Sequence, residues 1–270
     1  MQVLGKATGD QMFAPDKYIV GTSGYSFGDW VGTFYPPGTR TAEMFDLYVR
    51  RLRTVEVNYT FYRMPSARAM ESLSRRSPED FTFWVKANQQ ITHEGKREVS
   101  AEFLDNLSPL TAAGKLAGVL LQFPQSFHRT IDSRKYLAAI VEGFSGVPLA
   151  AEFRHVSWDH PSTLTGLRER GVALVVPDAP AIRGLFRPSA AVTGRTGYLW
   201  LHSRDASKWY AGASERYDYS YSDPELKAIL DDWRELQDQV DRVYAFFNNC
   251  HRGQAAQNAE AFRRILGQIQ

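Results

Sequence analysis

The sequence predicts a single α/β chain in which eight strands alternate with helices and close into one (β/α)8 TIM barrel. Three observations carry that expectation. Eight short apolar segments recur along the chain, and helical stretches or loops separate them throughout. Strands alternating with helices imply a parallel sheet with crossover helices, and eight such units close on themselves. The length of 270 residues fits a fold that needs roughly 250. Finally, every strand ends in a polar or ionisable group, at the end where barrel sites are built.

Each element has its own warrant. Residues 1–17 are polar, Gly-containing and aperiodic, and read as a flexible tail ahead of one domain spanning 18–270. Tyr18 to Thr22 is the first strand, and Ser23-Gly24-Tyr25 turns away from it. Thr41 is a good N-cap for a helix with Met44, Phe45, Tyr48 and Val49 on one stripe. In the second strand Val55 and Val57 alternate with Glu56 and Asn58, so the two pairs face opposite sides. A loop through Tyr59, Tyr62 and Arg63 follows, and Ser66 caps a helix to about Arg75.

Phe81 to Ala87 is the third strand, with His93 in the loop after it and a helix over 101–113. Gly118 to Phe123 is apolar on both faces, as a buried parallel strand should be. A helix over 133–142 leads to the fifth strand, Pro148 to Arg154, and another spans 161–170. Val172 to Val176 is the sixth strand, ending at Pro177-Asp178; a loop region covers 179–196. Tyr198 to Leu201 is the seventh. A long Tyr- and Ser-rich connection follows, then a helix from Asp223 to about Val240. Arg242 to Phe247 is the eighth strand, and a helix over 255–265 closes the chain. The rival is an open doubly wound sheet, which calls for a Gly-rich phosphate turn after an early strand. Gly21-Thr22-Ser23-Gly24 lacks that spacing.

Composition narrows the function. Hydrophobic residues make up 43% and charged residues 23%, which supplies a large core and argues against disorder. The net charge of +2 is too small to imply a polyanion partner by itself. Cys250 is the only cysteine, so there is no intramolecular disulfide and no cysteine zinc cluster. No run approaches the ~20 apolar residues of a membrane span, and no signal-peptide core is present. A soluble, cytoplasmic protein is expected.

Alternation along the strands gives the candidate site. Ser23, Glu56, Asn58, Lys86, Gln122, Glu152, Arg154, Asp178, His202, Arg204 and Asn248 stand at or just beyond strand ends. Glu56, Lys86, Glu152 and His202 are the candidate catalytic residues, as acid/base groups and charge stabilisers. The others, with Tyr25, Tyr62, His93 and Trp158 from the loops, are candidate substrate contacts. The alternative is a buried ion-pair network that closes the barrel and catalyses nothing, and breaking one costs roughly 3–5 kcal/mol. No His-x-x-x-His or His-Glu-x-x-His pattern exists. Glu56, Glu152, Asp178 and His202 could still converge on a divalent ion, with oxygen ligands favouring Mg²⁺ or Mn²⁺.

These residues carry a family resemblance. Gly21-Thr22-Ser23-Gly24-Tyr25 with Trp30, Phe34-Tyr35-Pro36, Val55-Glu56-Val57-Asn58 through Tyr62 and Pro65, and Lys86 with Ile91-Thr92-His93 match its earlier motifs. Leu121-Gln122-Phe123-Pro124, Glu152-Phe153-Arg154-His155 with Trp158, Asp178, and Phe247-Asn248-Asn249 with Gly253, Ala255 and Asn258-Ala259 match its later ones. Together they resemble the YecE-like family, also called domain of unknown function 72, from Tyr18 to the C-terminus. The chain departs from it in Trp200-Leu201-His202-Ser203-Arg204, where that family usually has Arg-x-His-Gly, and in Cys250, where an acidic residue is commoner. The resemblance implies a TIM-type barrel and brings no established reaction.

The expectation from residues and resemblance together is an enzyme with a polar pocket at the C-terminal face of the barrel. Its substrate would be a small anionic or phosphorylated molecule, with hydrolysis and divalent-metal assistance as the finer expectation. The competing expectations are an endonuclease-like or tRNA-associated nucleic-acid-binding barrel, and a barrel that binds a metabolite without catalysis.

Overall fold

A computed structural model of the chain describes residues 14–188 and 191–270. Its strands are β1 (Tyr18–Ser23), β2 (Thr54–Val57), β3 (Thr82–Lys86), β4 (Leu116–Gln122), β5 (Leu149–Glu152), β6 (Ala173–Asp178), β7 (Thr196–Leu201) and β8 (Arg242–Phe247). They pair in sequence order, all parallel, and β8 returns to β1 to close a (β/α)8 barrel. Closure removes every sheet edge, so the backbone polar groups of the strands are satisfied within the wall.

The helices outside the wall follow the local signals in the sequence. They are α1 (Thr41–Tyr48), α2 (Tyr59–Tyr62), α3 (Ala67–Arg76), α4 (Gln89–Thr92), α5 (Ser100–Ala112), α6 (Ile131–Gly143), α7 (Pro161–Glu169), α8 (Ala213–Arg216), α9 (Asp223–Arg234) and α10 (Gln254–Ile265). The Ser66 hydroxyl accepts from the Ala69 amide at the start of α3, and Thr130 does the same for Ser133 in α6. Ser222 and Glu225 form a capping box on α9. Some stretches differ from expectation, among them the loops after β3 and β7, which hold the one-turn helices α4 and α8. The loop after β2 contains the one-turn helix α2. Arg40, not Thr41, caps α1. And α9 stops at Arg234, with a 3₁₀ turn over Gln237–Gln239 taking the chain into β8.

Most of the tail expected over residues 1–17 lies outside the described residues. Ala14 to Lys17 are bound to the barrel: the Ala14 amide donates to Gln237 Oε1, and Lys17 Nζ donates to the carbonyls of Gln237 and Val240. Among the described residues no helix is long and apolar enough to cross a membrane.

Two apolar layers build the body. The outer one lies between strands and helices. The inner one fills the barrel with Trp84, Leu120, Ala150, Ala173, Val175, Tyr198, Trp200, Tyr244 and Phe246. Five large rings leave little room, and the strands opposite answer with small residues. A register shift between Phe83 and Trp84 on the β3–β4 edge pairs Trp84 with Gly118. A Cβ added at Gly118 would lie 2.6 Å from the Trp84 ring and 2.7 Å from the Pro148 carbonyl oxygen. The same shift sets Leu120 and Gln122 on the inner face. Gly118→Ala is therefore expected to overpack the interior and lower stability by about 1–3 kcal/mol, read as a drop in the urea midpoint at unchanged slope.

Candidate active site

The aromatic plug ends below the carboxyl ends of the strands, and polar side chains take over there. Ser23, Glu56, Lys86, Gln122, Glu152, His202 and Asn248 continue the inward-facing parity of β1, β2, β3, β4, β5, β7 and β8. Ser23, Glu56, Gln122, Glu152, His202 and Asn248 are buried, and Lys86 is half-buried.

Glu56 is fully buried and bound across the barrel, its Oε2 accepting a hydrogen bond from the Tyr198 hydroxyl. Burial raises the Glu56 carboxyl above its ordinary pKa, and Tyr198, the Lys86 charge, Asn58 and Ser23 oppose that rise. The phenol is pushed well above its usual range by burial and the adjacent carboxylate, so Tyr198 keeps its proton and donates it. Glu56 Oε1 and the neighbouring Asn58 Oδ1 are buried and have no protein partner. Trp200 Nε1 donates to Ser23 Oγ at 2.8 Å and fixes that hydroxyl at the rim of the plug.

Lys86 is the central cation. Its ammonium lies 4.4 Å from the centre of the Phe61 ring and 5.7 Å from that of Trp200, and it makes no ion pair among the described residues. Burial lowers its pKa to about 8, with Arg154 adding to the fall while Glu56 and Glu152 oppose it. Glu152 Oε1 accepts from Arg154 Nε at 3.3 Å, and Oε2 is buried without a partner. Burial raises the Glu152 carboxyl too, against Arg154 and Lys86.

His202 pairs with Asn248, and the orientation of that amide sets its tautomer. Asn248 Nδ2 lies 3.0 Å from His202 Nδ1, while Asn248 Oδ1 faces the Cys250 thiol at 4.0 Å. With the amide nitrogen donating, Nδ1 is the acceptor and the proton sits on Nε2, which is buried and unpartnered. Burial and the cations Arg154, Arg216 and Lys86 lower the His202 pKa well below 6.5, so the ring is a neutral donor at pH 7. His93, on the rim against Phe61, is held to about pKa 4 by desolvation and by Lys86 and Arg154.

Several expected contacts stand elsewhere. The sequence places Asp178 in the mouth, but β6 continues through it, pairing Asp178 with Leu201. Alternation then gives the inner face to Pro177 and turns Asp178 outward. There Arg204 grips it with Nε and Nη2 at 2.7–3.1 Å, and Tyr221 donates to it at 2.9 Å. Arg204 shares that outer cluster instead of following His202. Trp158 is buried outside the wall, stacked 4.1 Å from Phe153, its indole donating to the Phe127 carbonyl. Tyr25 packs on Phe45 and Tyr48 beneath the β1 loop. Tyr62 is 77% exposed on α2, and Gln122 makes one long contact, to the Phe123 carbonyl. Because Asp178 faces away, the set Glu56, Glu152, Asp178 and His202 does not converge. Among the described residues no three His, Cys, Asp or Glu side chains could hold a metal ion.

Two contributors escape a reading of the sequence. Tyr198 shares the parity of Trp200 and His202, which is the signal available for it. Arg216 gives none: it sits on α8 within the long β7–β8 connection. Its guanidinium lies 4.5 Å from the Trp209 ring centre, and His202 is 5.5 Å from the same ring. Arg216 Nε is buried without a partner. A separate, mainly apolar cavity of ≈ 200 Å³ lies between α6 and α7, lined by Leu137, Trp158 and Leu167 with Arg129 at its edge. The polar side chains collected at the barrel mouth make the mouth the better candidate.

Residues 19–270 match the family model described as "Protein of unknown function DUF72". The chain belongs to the DUF72 family. A DUF72 crystal structure from Thermotoga maritima is 39% identical to it, covers 93% of this chain and 99% of its own, and superposes with a TM-score of 0.86. Another, from Enterococcus faecalis, is 26% identical, covers 94% and 96%, and gives 0.83. UPF0759 protein YunF of Bacillus subtilis is 30% identical over 267 residues, 92% of this chain and 94% of that protein. Outside DUF72, a D-psicose 3-epimerase shares the fold alone, at 10% identity and a TM-score of 0.52.

The buried histidine gives a pH signature. His202 has a folded pKa below its unfolded one, so the unfolded chain binds the extra proton and stability falls as pH drops below about 6.5. Glu56 and Glu152, with raised pKa values, act in the opposite sense above about pH 4.5. Comparison with His202→Gln isolates the imidazole. Between pH 7 and 5 the wild type is expected to lose on the order of 1–2 kcal/mol relative to the variant, measured by denaturant unfolding at each pH.

Proposed function

We propose that this DUF72 chain is an enzyme that performs acid–base chemistry on a small anionic substrate at the carboxyl end of its barrel. One observation carries the reading: Glu56 Oε1, Asn58 Oδ1, Glu152 Oε2, His202 Nε2 and Arg216 Nε are all buried and all lack a protein partner. Buried polar atoms are partnered in nine cases of ten or more, so a group of orphans around one mouth fits a place where a ligand or water completes the bonding. A structural ion-pair network would be closed. Here Lys86 and Arg216 make no ion pair among the described residues, and Glu152 spends only one oxygen on Arg154.

The charges name the ligand class. Lys86, Arg154 and Arg216 face two carboxyls that burial pushes toward the neutral form. The balance favours an anion, bound by Arg216 and the free face of Arg154. Glu152 then serves as the proton acceptor or donor through Oε2. His202 donates from a neutral Nε2–H to an oxygen that gains charge during reaction, without itself giving up a proton at pH 7. Glu56, bound by Tyr198, acts on Lys86 only through its charge, at more than ion-pair distance. The donor set gives metal assistance no support, and the reading does without it.

Native mass spectrometry of the full chain purified from its host would look for a retained small anion. A screen of anionic substrates with and without added divalent ions follows. Against any activity found, Glu152→Gln should lower kcat by about 10²–10⁴-fold without a fall in melting temperature. Arg216→Ala should raise KM by about tenfold or more with a smaller effect on kcat. An activity indifferent to Glu152→Gln rules the reading out.

A further inference from the structure

Lys86 is more than a counter-ion. It stands at the end of β3, half-buried above the aromatic plug, with Phe61 against its ammonium and Trp200 behind. Lys115, a buried lysine, shows the contrast. Lys115 gives its ammonium to the Ser74 and Ser77 carbonyls and the Ser77 hydroxyl at 2.7–2.9 Å, a structural role that leaves no hydrogen free. Lys86 has no such bonds among the described residues. A lysine packed against rings, with Arg154 and Arg216 nearby and no carboxylate within ion-pair distance, is the arrangement that turns an ammonium into a nucleophilic amine. Glu152 beside it has one oxygen free, and His202 offers an unpartnered N–H.

We propose that Lys86 forms an imine with its substrate, and that the substrate is a small aldehyde or ketone carrying an anionic group. This rests on the acid–base reading of the same mouth and adds the covalent step and the carbonyl. The neutral Nζ attacks the carbonyl carbon. A C–N bond forms while the carbonyl π pair moves to oxygen, which takes a proton from the Glu152 carboxyl; His202 Nε2–H steadies the charge on that oxygen. Nζ then returns a proton to Glu152, which passes it to the departing hydroxyl; the nitrogen lone pair forms C=N as water leaves, and a protonated imine remains beside the Glu152 carboxylate. One water is released on formation and one consumed on hydrolysis, with no oxidation or reduction. The anionic group sits with Arg154 and Arg216, which fixes the carbonyl over Nζ. The lowered pKa agrees: at pH 7.5 an amine of pKa about 8 is roughly a quarter neutral, against about a thousandth for an ordinary lysine.

The test uses the intact chain and pyruvate, a small carbonyl compound with an adjacent carboxylate, together with sodium cyanoborohydride. The hydride reduces any imine to a stable secondary amine, and peptide mass spectrometry places it. Lys86 should be labelled at least tenfold faster at pH 7.5 than the exposed Lys135 and Lys227 of the same molecule, so the comparison needs no variant. Acetylacetone, which traps reactive amines as enaminones, should likewise modify Lys86 first, and Lys86→Arg should abolish the fast phase of both. Labelling of Lys86 no faster than the surface lysines with both probes overturns the imine. If Glu152→Gln meanwhile abolishes a detected activity, the acid–base reading survives that loss. Fast labelling at Lys86 with an activity indifferent to Glu152 keeps the imine and discards the acid–base role of Glu152.

Discussion

The interior of this barrel is filled by rings, and everything at the mouth depends on that. Trp84, Tyr198, Trp200, Tyr244 and Phe246 form an aromatic floor. Charged side chains resting on it lose hydration on one side and have few protein groups to replace it. Desolvation accordingly leads the causes of the shifts at Glu56, Lys86, Glu152 and His202. A floor of aliphatic residues would desolvate as well. These rings also bond upward, through the Tyr198 hydroxyl to Glu56 and the Trp200 indole to Ser23. The plug thus sets both the protonation states and the positions of the groups above it.

Much of this is legible in the amino-acid order itself. Strand alternation needs only a period of two, so Glu56, Lys86, Glu152 and His202 can be assigned to one face from spacing alone. The same rule fails at Asp178 because the strand runs farther than its apolar run. Pro177 looks like a terminator, yet the ladder runs through it, Pro177 opposite Trp200, and reaches Asp178. One residue of extension reverses the face. Trp158 misleads for a different reason. An aromatic in a loop after a strand reads as a pocket wall, and only packing tells that the loop folds back onto Phe127 and Phe153.

Arg216 marks the limit of sequence periodicity. It lies in a connection whose elements are one or two turns long, too short to impose a pattern. Its position is fixed by distant contacts instead: Asn249 Nδ2 binds the Tyr219 carbonyl, and Asn258 brackets Tyr221 through both its amide and its carbonyl. Such anchors pair residues 30 or more apart, which spacing along a single chain does not reveal. The DUF72 relatives share the scaffold, but a family of unestablished reaction transfers no roles, so each side chain has to be argued from its own surroundings.

The cluster of Asp178, Arg204, Tyr221 and Glu225 has a meaning of its own outside the wall. It fastens the segment carrying Trp209 and Arg216 to the rim of β6, on the far side of the sheet from Glu152 and Lys86. On the proposed function, the acid–base groups stand at the ends of the strands, while Arg216, one of the two arginines proposed to meet the ligand's charge, belongs to a clipped-on part. Such a division makes the molecule modular. If the proposed function holds, trading that one segment for another would change which anions are admitted and leave Glu152 and His202 where they are.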